Sequence, residues 1–306
     1  VADVLVVGEA LVDIVERTDG TRVEHPGGSP ANVALGLARL GRGAALLTRL
    51  GTDERGVAVR EHLEASGVRL VDGSVTQERT STATARLDER GVATYDFDLD
   101  WRVPAEPDLS AYAALHTGSI AAFLAPGGDD VVRLVEAASR RITVTYDPNA
   151  RPVLMGDPGR ARVRVERVVA LADLVKVSDE DLAWLAPGED PVDVATRWQA
   201  AGPGIVVVTL GGGGAVAVTG TGRVEVRAPQ VDVVDTVGAG DSFMSGLIDY
   251  LAGAGLLGAG TQDAIAAMPA AAVGTMLTHA VRIATVTVSR AGANPPTRAE
   301  LDALTT

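Results

Sequence analysis

Short apolar runs rich in β-branched residues alternate with stretches of helical period along most of the chain, and no other feature limits the possible folds as severely. Val4 to Val7 is such a run, ending at Gly8. Ala44 to Leu47, Val68 to Val71, Ala113 to His116, Ile142 to Tyr146, Leu174 to Val177 and Ile205 to Leu210 read as further strands. Asn32 to Leu40 places Val33, Leu37 and Leu40 at helical spacing before a Gly41 stop. Helical stretches near 55 to 66, 128 to 140, 159 to 171, 179 to 185 and 191 to 200 fall between several of the strands. The alternation predicts an α/β fold with a mostly parallel central sheet, helices on both faces and ligand sites at the carboxyl ends of the strands.

Two segments break the pattern. Leu11 to His25 and Thr80 to Asp98 are polar and β-prone, with a turn at Glu89 to Gly91, and neither has the period of a covering helix. They are expected to form a small β-sheet standing over the strand ends as a lid, or else a surface hairpin without function. After residue 236 the chain turns helical and alanine-rich, with helices near 239 to 252 and 262 to 279. No internal repeat or long linker divides the chain, so residues 1–306 are expected to be one domain carrying a lid formed by about 11–25 and 80–98.

Composition removes several functions. A net charge of −13 with no lysine- or arginine-rich run argues against a nucleic-acid or anionic membrane surface. With no cysteine there is neither disulfide nor thiolate chemistry, and the four histidines lack metal-ligand spacing. No stretch reaches the roughly 18 uninterrupted apolar residues of a membrane span, and a cytoplasmic location is expected. Lys176 is the only lysine, which is either compositional bias or a retained function.

Residues 235 to 246, DTVGAGDSFMSG, carry the clearest chemical signal. Gly238, Ala239 and Gly240 are expected to present backbone N–H groups at the positive end of a helix dipole, a ready anion site. Asp241 beside them is either a helix cap or a base that takes a proton from a nucleophile attacking a bound phosphate. Other nucleotide motifs fail. The sole lysine follows Val175, so there is no Walker A loop. Gly253, Gly255 and Gly258 match Gly-x-Gly-x-x-Gly but follow a helix, and read as its ending loop. Thr209 to Gly214, TLGGGG, closes a Val-rich strand as a tight hairpin or a backbone surface for a ligand. Asp13, Gly27, Gly28 and Asn32 form a hydrogen-bonding set suited to several hydroxyls of a polyol.

Gly27 to Gly41, GGSPANVALGLARLG, resembles the first signature of the ribokinase-like (PfkB) carbohydrate kinases, and Asp235 to Gly246 resembles the second. The resemblance extends through Gly8 to Asp13, Asp147 to Arg151, Lys176 to Asp181, Thr209 to Gly214 and Ser289 to Ala293. It implies an ATP-dependent sugar kinase with a β lid, assisted by Mg²⁺. By position, Asp241 is the implied base and Gly238 to Gly240 the anion hole. By the same resemblance Asp13, Gly27, Gly28, Asn32 and Arg151 would hold the sugar, and Lys176, Ser178, Thr209, Gly211 and Gly214 would belong to the nucleotide site. Asp235, Val237, Ser289 and Gly292 match where family members bind a monovalent cation such as K⁺. Many ribokinases carry Asn-x-x-Glu where this chain reads Ser178-Asp179-Glu180-Asp181, so that Asp181 would reach Mg²⁺ through water. Ser29-Pro30 and Asp-Pro-Asn-x-Arg at 147 to 151 are more like the fructokinase branch. A 2-keto-3-deoxygluconate kinase, a ribokinase or nucleoside kinase, and a catalytically idle sugar- or nucleotide-binding regulator remain alternatives. The expected partners are a small sugar and ATP, with the chain a monomer or a homodimer through the lid.

Overall fold

The computed structural model describes residues 3–88 and 93–304, so the turn expected at Glu89 to Gly91 lies outside the described residues. In chain order the strands are β1 (Val4–Val7), β2 (Leu11–Glu16), β3 (Arg22–Gly27), β4 (Ala44–Leu47), β5 (Arg69–Leu70), β6 (Thr82–Leu87) and β7 (Ala93–Asp98). They continue as β8 (Ala114–Gly118), β9 (Thr143–Asp147), β10 (Leu174–Ser178), β11 (Ile205–Thr209), β12 (Ala215–Thr219) and β13 (Gly222–Val226). The helices are α1 (Ser29–Arg39), α2 (Glu54–Glu64), α3 (Gly127–Ala138), α4 (Pro152–Met155), α5 (Pro158–Val169) and α6 (Asp179–Leu185). After them come α7 (Pro191–Ala201), α8 (Ala239–Gly253), α9 (Gln262–Ala266), α10 (Ala270–Val288) and α11 (Arg298–Ala303).

Nine strands make one sheet in the order β13-β12-β11-β10-β9-β8-β1-β4-β5. Pairing is parallel from β11 across to β5, and antiparallel only where β12 and β13 fold back on the edge. Strand alternation explains the two cores. Val4, Val6, Leu46 and Val207 point to the side covered by α1, α2, α8 and α10, while Leu5, Val7, Leu47 and Val206 point to α3, α5, α6 and α7. Each buried Val or Leu contributes about 1.5–3 kcal/mol, which commits these strands to the sheet interior. From β1 the chain runs outward to β4 and β5 on one side, and later returns to β8 on the other. The carboxyl end of β1 is therefore the topological switch point, where an open sheet leaves a crevice.

Only three residues separate β1 from β2, so the chain steps from that crevice directly into a second sheet, ordered β3-β2-β6-β7. Val12 and Ile14 bury one face of β2 in the core, which turns Asp13 to the other face. Glu24 of β3 accepts from Nε and Nη2 of Arg55, and Asp53 accepts from the amide and hydroxyl of Thr80, so α2 ties the small sheet to the large one. The ring centroids of Tyr95 and Phe97 stack 5.9 Å apart along β7.

Helix α8 is locked by close backbone approach. A Cβ on Gly36 would stand 2.5 Å from Ser245 Oγ, and one on Gly246 would stand 2.8 Å from Ala280 Cα. Two glycines thus let α8 press against α1 and α10, which fixes its first turn relative to that of α1. The helix expected over 262 to 279 is two helices. Pro269 has no N–H to continue α9, and it caps a new helix, α10, that runs to Val288. By length and composition α10 is apolar enough to cross a membrane, but 44% of that window is buried inside the molecule against α8 and β13. The two-residue β5 is shorter than the expected Val68 to Val71, and β13 and α4 carry no clear sequence signal.

Candidate active site

The two loops singled out in sequence meet at the crevice. Gly238 caps α8 with φ 74, a left-handed conformation, and a Cβ there would stand 2.6 Å from that of Ala293. Of the three amides expected to be free, that of Ala239 is not, because it donates to Thr236 O at 3.2 Å. The amides of Gly238 and Gly240 find no acceptor in the described residues and remain available to an anion.

Asp241 sits in the first turn of α8 and is buried, at 6% exposure. Its side chain does not cap its own helix, since Ser29 Oγ donates to Oδ1 at 2.6 Å and Asn32 Nδ2 to Oδ2 at 2.8 Å. Both donors come from the first turn of α1, so Asn32 spends its amide on the carboxylate rather than facing the cleft with it. Ser29 in turn accepts from Asn149 Nδ2 at 2.8 Å, and Asn149 Oδ1 accepts from Arg151 Nη1 at 2.7 Å. Asn149 holds φ 36, a left-handed backbone that asparagine tolerates better than most residues. Arg151 is thereby linked to Asp241 through two neutral side chains, an arrangement that orients the carboxylate while leaving each oxygen a lone pair.

Lys176 does not open onto the cleft. Its ammonium is buried beneath α8, donates to Asp147 Oδ2 at 2.9 Å, and would stand 2.9 Å from a Cβ on Gly240. It places a positive charge beside Gly240 at the start of α8. Burial pushes the Asp147 carboxyl up to about 6, opposed by Lys176. Burial works against the Lys176 charge, but Asp147, Asp181 and Asp241 outweigh it and raise its pKa.

Asp13 lies opposite His25 in the β2–β3 register, and its carboxylate leans over Gly27, where a Cβ would stand 2.0 Å from Asp13 Oδ2. Gly28, at φ 102, brings the loop down onto Glu9, since its Cβ would stand 2.5 Å from Glu9 O. Burial pushes Asp13 up to about 6 and Glu9 to about 7, with Arg151 pulling both down and Asp241 pushing both up. These shifts carry a sign for stability. Glu9, Asp13 and Asp147 bind protons more tightly in the folded protein, so their contribution is complete below pH 4 and is lost as pH rises through 6 to 7. The ligand-free protein is expected to melt at a higher temperature at pH 5 than at pH 7.5 in calorimetry; a higher melting temperature at pH 7.5 would contradict these assignments.

Ser178 caps α6, its hydroxyl accepting from the Asp181 amide at 2.9 Å. Asp181 returns the bond to the Ser178 amide and also accepts from the Ala150 amide at 2.8 Å. Both residues therefore have structural work at the ends of β9 and β10. Thr209 ends β11, and the glycines after it form the expected hairpin, with Leu210 N donating to Gly214 O. Gly214 is demanded by packing, since a Cβ there would stand 2.1 Å from Val226 O. Gly211 and Gly212 have open space above them. Asp235 accepts from the amides of Val237 at 3.0 Å and Gly292 at 2.8 Å, pinning the loop before α8 to the loop after α10. Ser289 Oγ donates to Val286 O, closing α10.

Glu9, Ser29, Asp147 and Asn149 are the site residues to which sequence reasoning assigned no role. Each lies within the residues carrying the two N-terminal and 147 to 151 motifs, and Glu9, Asp147 and Asn149 follow or end parallel strands, where a polar residue amid apolar sequence is itself a signal.

A model of the pfkB family carbohydrate kinases matches residues 1–299. The chain is 36% identical over 276 residues to a fructokinase of Klebsiella pneumoniae, covering 86% of this chain and 87% of that one. It is 36% identical over 262 residues to a fructokinase of Rhizobium leguminosarum bv. trifolii, covering 81% and 79%. Among solved structures, fructokinase with bound ATP from Xylella fastidiosa superimposes with TM-score 0.83 at 26% identity, over 99% of this chain and 97% of that one. A fructokinase double mutant from Vibrio cholerae O395, in fructose, ADP and potassium ion bound form, gives TM-score 0.78 at 27% identity, over 99% and 97%. By full-length family match, fold and paired site loops, this chain belongs to the pfkB family of carbohydrate kinases.

Proposed function

We propose that this carbohydrate kinase is a fructokinase, transferring the γ-phosphoryl group of ATP to a primary hydroxyl of fructose. The observation that carries the chemistry is the clamping of Asp241 by Ser29 and Asn32 beside the free amides of α8. Asp241 accepts the proton of the attacking hydroxyl, and the amides of Gly238 and Gly240, with Lys176 beneath them, stabilise charge on the transferring group. The sugar lies between Asp13, the Gly27 to Gly28 loop and Arg151, under the small sheet acting as a lid against water. The nucleotide runs past Thr209, Gly211 and the Gly214 hairpin. Three fructokinase relatives at 34–36% identity support fructose as the acceptor.

Mg²⁺ bound with the nucleotide would supply neutralisation of phosphate charge. No cluster of three or more acidic or histidine side chains able to hold a metal exists among the described residues, so the ion fits only as a companion of the nucleotide. Asp181, with both oxygens taken by backbone amides, would hold it only through water. The Asp235 loop pair fits a monovalent cation such as K⁺ through its backbone carbonyls, since the Asp235 oxygens already serve two amides. A cytoplasmic location matches the need for ATP. The test is a panel of fructose, ribose, 2-keto-3-deoxygluconate and adenosine with MgATP, read as kcat/KM. Fructose is expected to lead, and a preference for ribose or adenosine would overturn the assignment.

A further inference from the structure

Glu9 is a buried acidic side chain at the crevice with no part in the reading above. It lies just past β1 with 6% exposure, and its Oε2 has no hydrogen-bond partner among the described residues. Ser119, the residue after β8, lies beside the same carboxyl and favours its charged form. Ser119 itself holds φ 52, a strained left-handed backbone of the kind that clusters at functional sites. The Glu9 backbone lies against the Gly28 loop that flanks the sugar in the reading above, and its carboxyl feels the charges of Arg151 and Asp241.

A buried carboxyl oxygen left unpaired costs free energy that a ligand hydroxyl would recover. Asp241 is committed to Ser29, Asn32 and the attacking hydroxyl, and the Asn149 oxygen to Arg151, which leaves Glu9 and Asp13 as acceptors for the remaining hydroxyls. We propose that Glu9 is a further sugar-binding residue, whose Oε2 accepts from a hydroxyl other than the one phosphorylated, and that it makes the cleft select neutral polyols over sugar acids. Glu9, Asp13 and Asp241 set three carboxyls against the single guanidinium of Arg151. A sugar acid would bring a further negative charge into that arrangement, and the repulsion is complete only above about pH 7, where Glu9 is ionised. This role rests on the fructokinase reading.

The experiment is steady-state kinetics of Glu9→Gln and Glu9→Asp with fructose, 2-keto-3-deoxygluconate and ATP each varied. Loss of a charged hydrogen-bond partner is expected to raise the fructose KM about 10-fold or more, with kcat and the ATP KM nearly unchanged. Glu9→Gln is also expected to lower kcat/KM less for the sugar acid than for fructose, because it removes a repelling charge. Glu9→Asp keeps the charge but withdraws the oxygen, so it raises the fructose KM without that shift in preference and serves if the amide variant does not fold. An unchanged fructose KM in a folded variant, or an equal loss for both acceptors, would overturn the role of Glu9. Absence of wild-type turnover with fructose would instead overturn the reading on which it rests.

Discussion

Replacing Asp241 by Asn is expected to cut turnover by roughly 10²-fold or more, the range for lost general base action, while ATP binding survives. The substitution keeps the shape of the side chain. One of its two terminal atoms becomes an NH₂ that must face either Ser29 Oγ or Asn32 Nδ2, the two donors that the carboxylate satisfies. Ser29 can rotate to accept, since its hydroxyl also takes a bond from Asn149, so the Asn variant folds with one weakened link. Asp241→Ala leaves Ser29 and Asn32 both without the acceptor they share, and disturbs the first turn of α1 as well. The amide variant is therefore the cleaner test. Turnover is read from ADP release and nucleotide affinity from titration calorimetry. A kcat within about 3-fold of wild type would remove Asp241 from the chemistry, since a base contributes far more than that.

The second large effect concerns stability. Lys176 and Asp147 are 2.9 Å apart, with side chains 4% and 1% exposed. Removing one member of a buried pair strands the other charge, so Lys176→Met is expected to lose about 3–5 kcal/mol in urea denaturation at pH 7. The double variant Lys176→Met, Asp147→Asn removes both charges and should recover most of the loss. Its turnover should stay low, because the positive charge beneath the amides of Gly238 and Gly240 is gone. A single variant as stable as wild type would show that the pair is not charged in the folded protein.

Much of this architecture could be read in the chain because its signals are local. The strands at Val4, Ala44, Leu174 and Ile205 announce themselves by composition, and α8 by the glycine turn before it. The break at Pro269 was masked by the alanine-rich run on either side, although proline is the residue best able to divide it. Ser178 and Asp181 form a capping box whose spacing is local, which is why their structural duties coexist with the place they take in the family pattern.

The site divided along the same line. Both loops were legible, but the contact of Ser29 with Asp241 joins residues 212 apart and has no local trace. It depends on Gly36 and Gly246 letting α8 approach its neighbours, a property that appears in the sequence only as two glycines inside helices. Lys176 was conspicuous as the sole lysine, yet its burial under α8 followed from the sheet order that sets β10 beside β9, not from the residue. Glu9 was hidden because its surroundings are assembled from the Gly28 loop against its backbone and Ser119, Arg151 and Asp241 near its carboxyl, none of them local in sequence.

The central claim is that the joined loops transfer phosphate from ATP to a sugar alcohol. Its most direct test is to incubate the wild-type protein with MgATP and fructose and to identify the product by ³¹P NMR. The account predicts a fructose monoester at a primary hydroxyl, formed together with ADP and only when fructose is present. Release of ADP without any sugar ester, or an ester formed equally fast by Asp241→Asn, would contradict it.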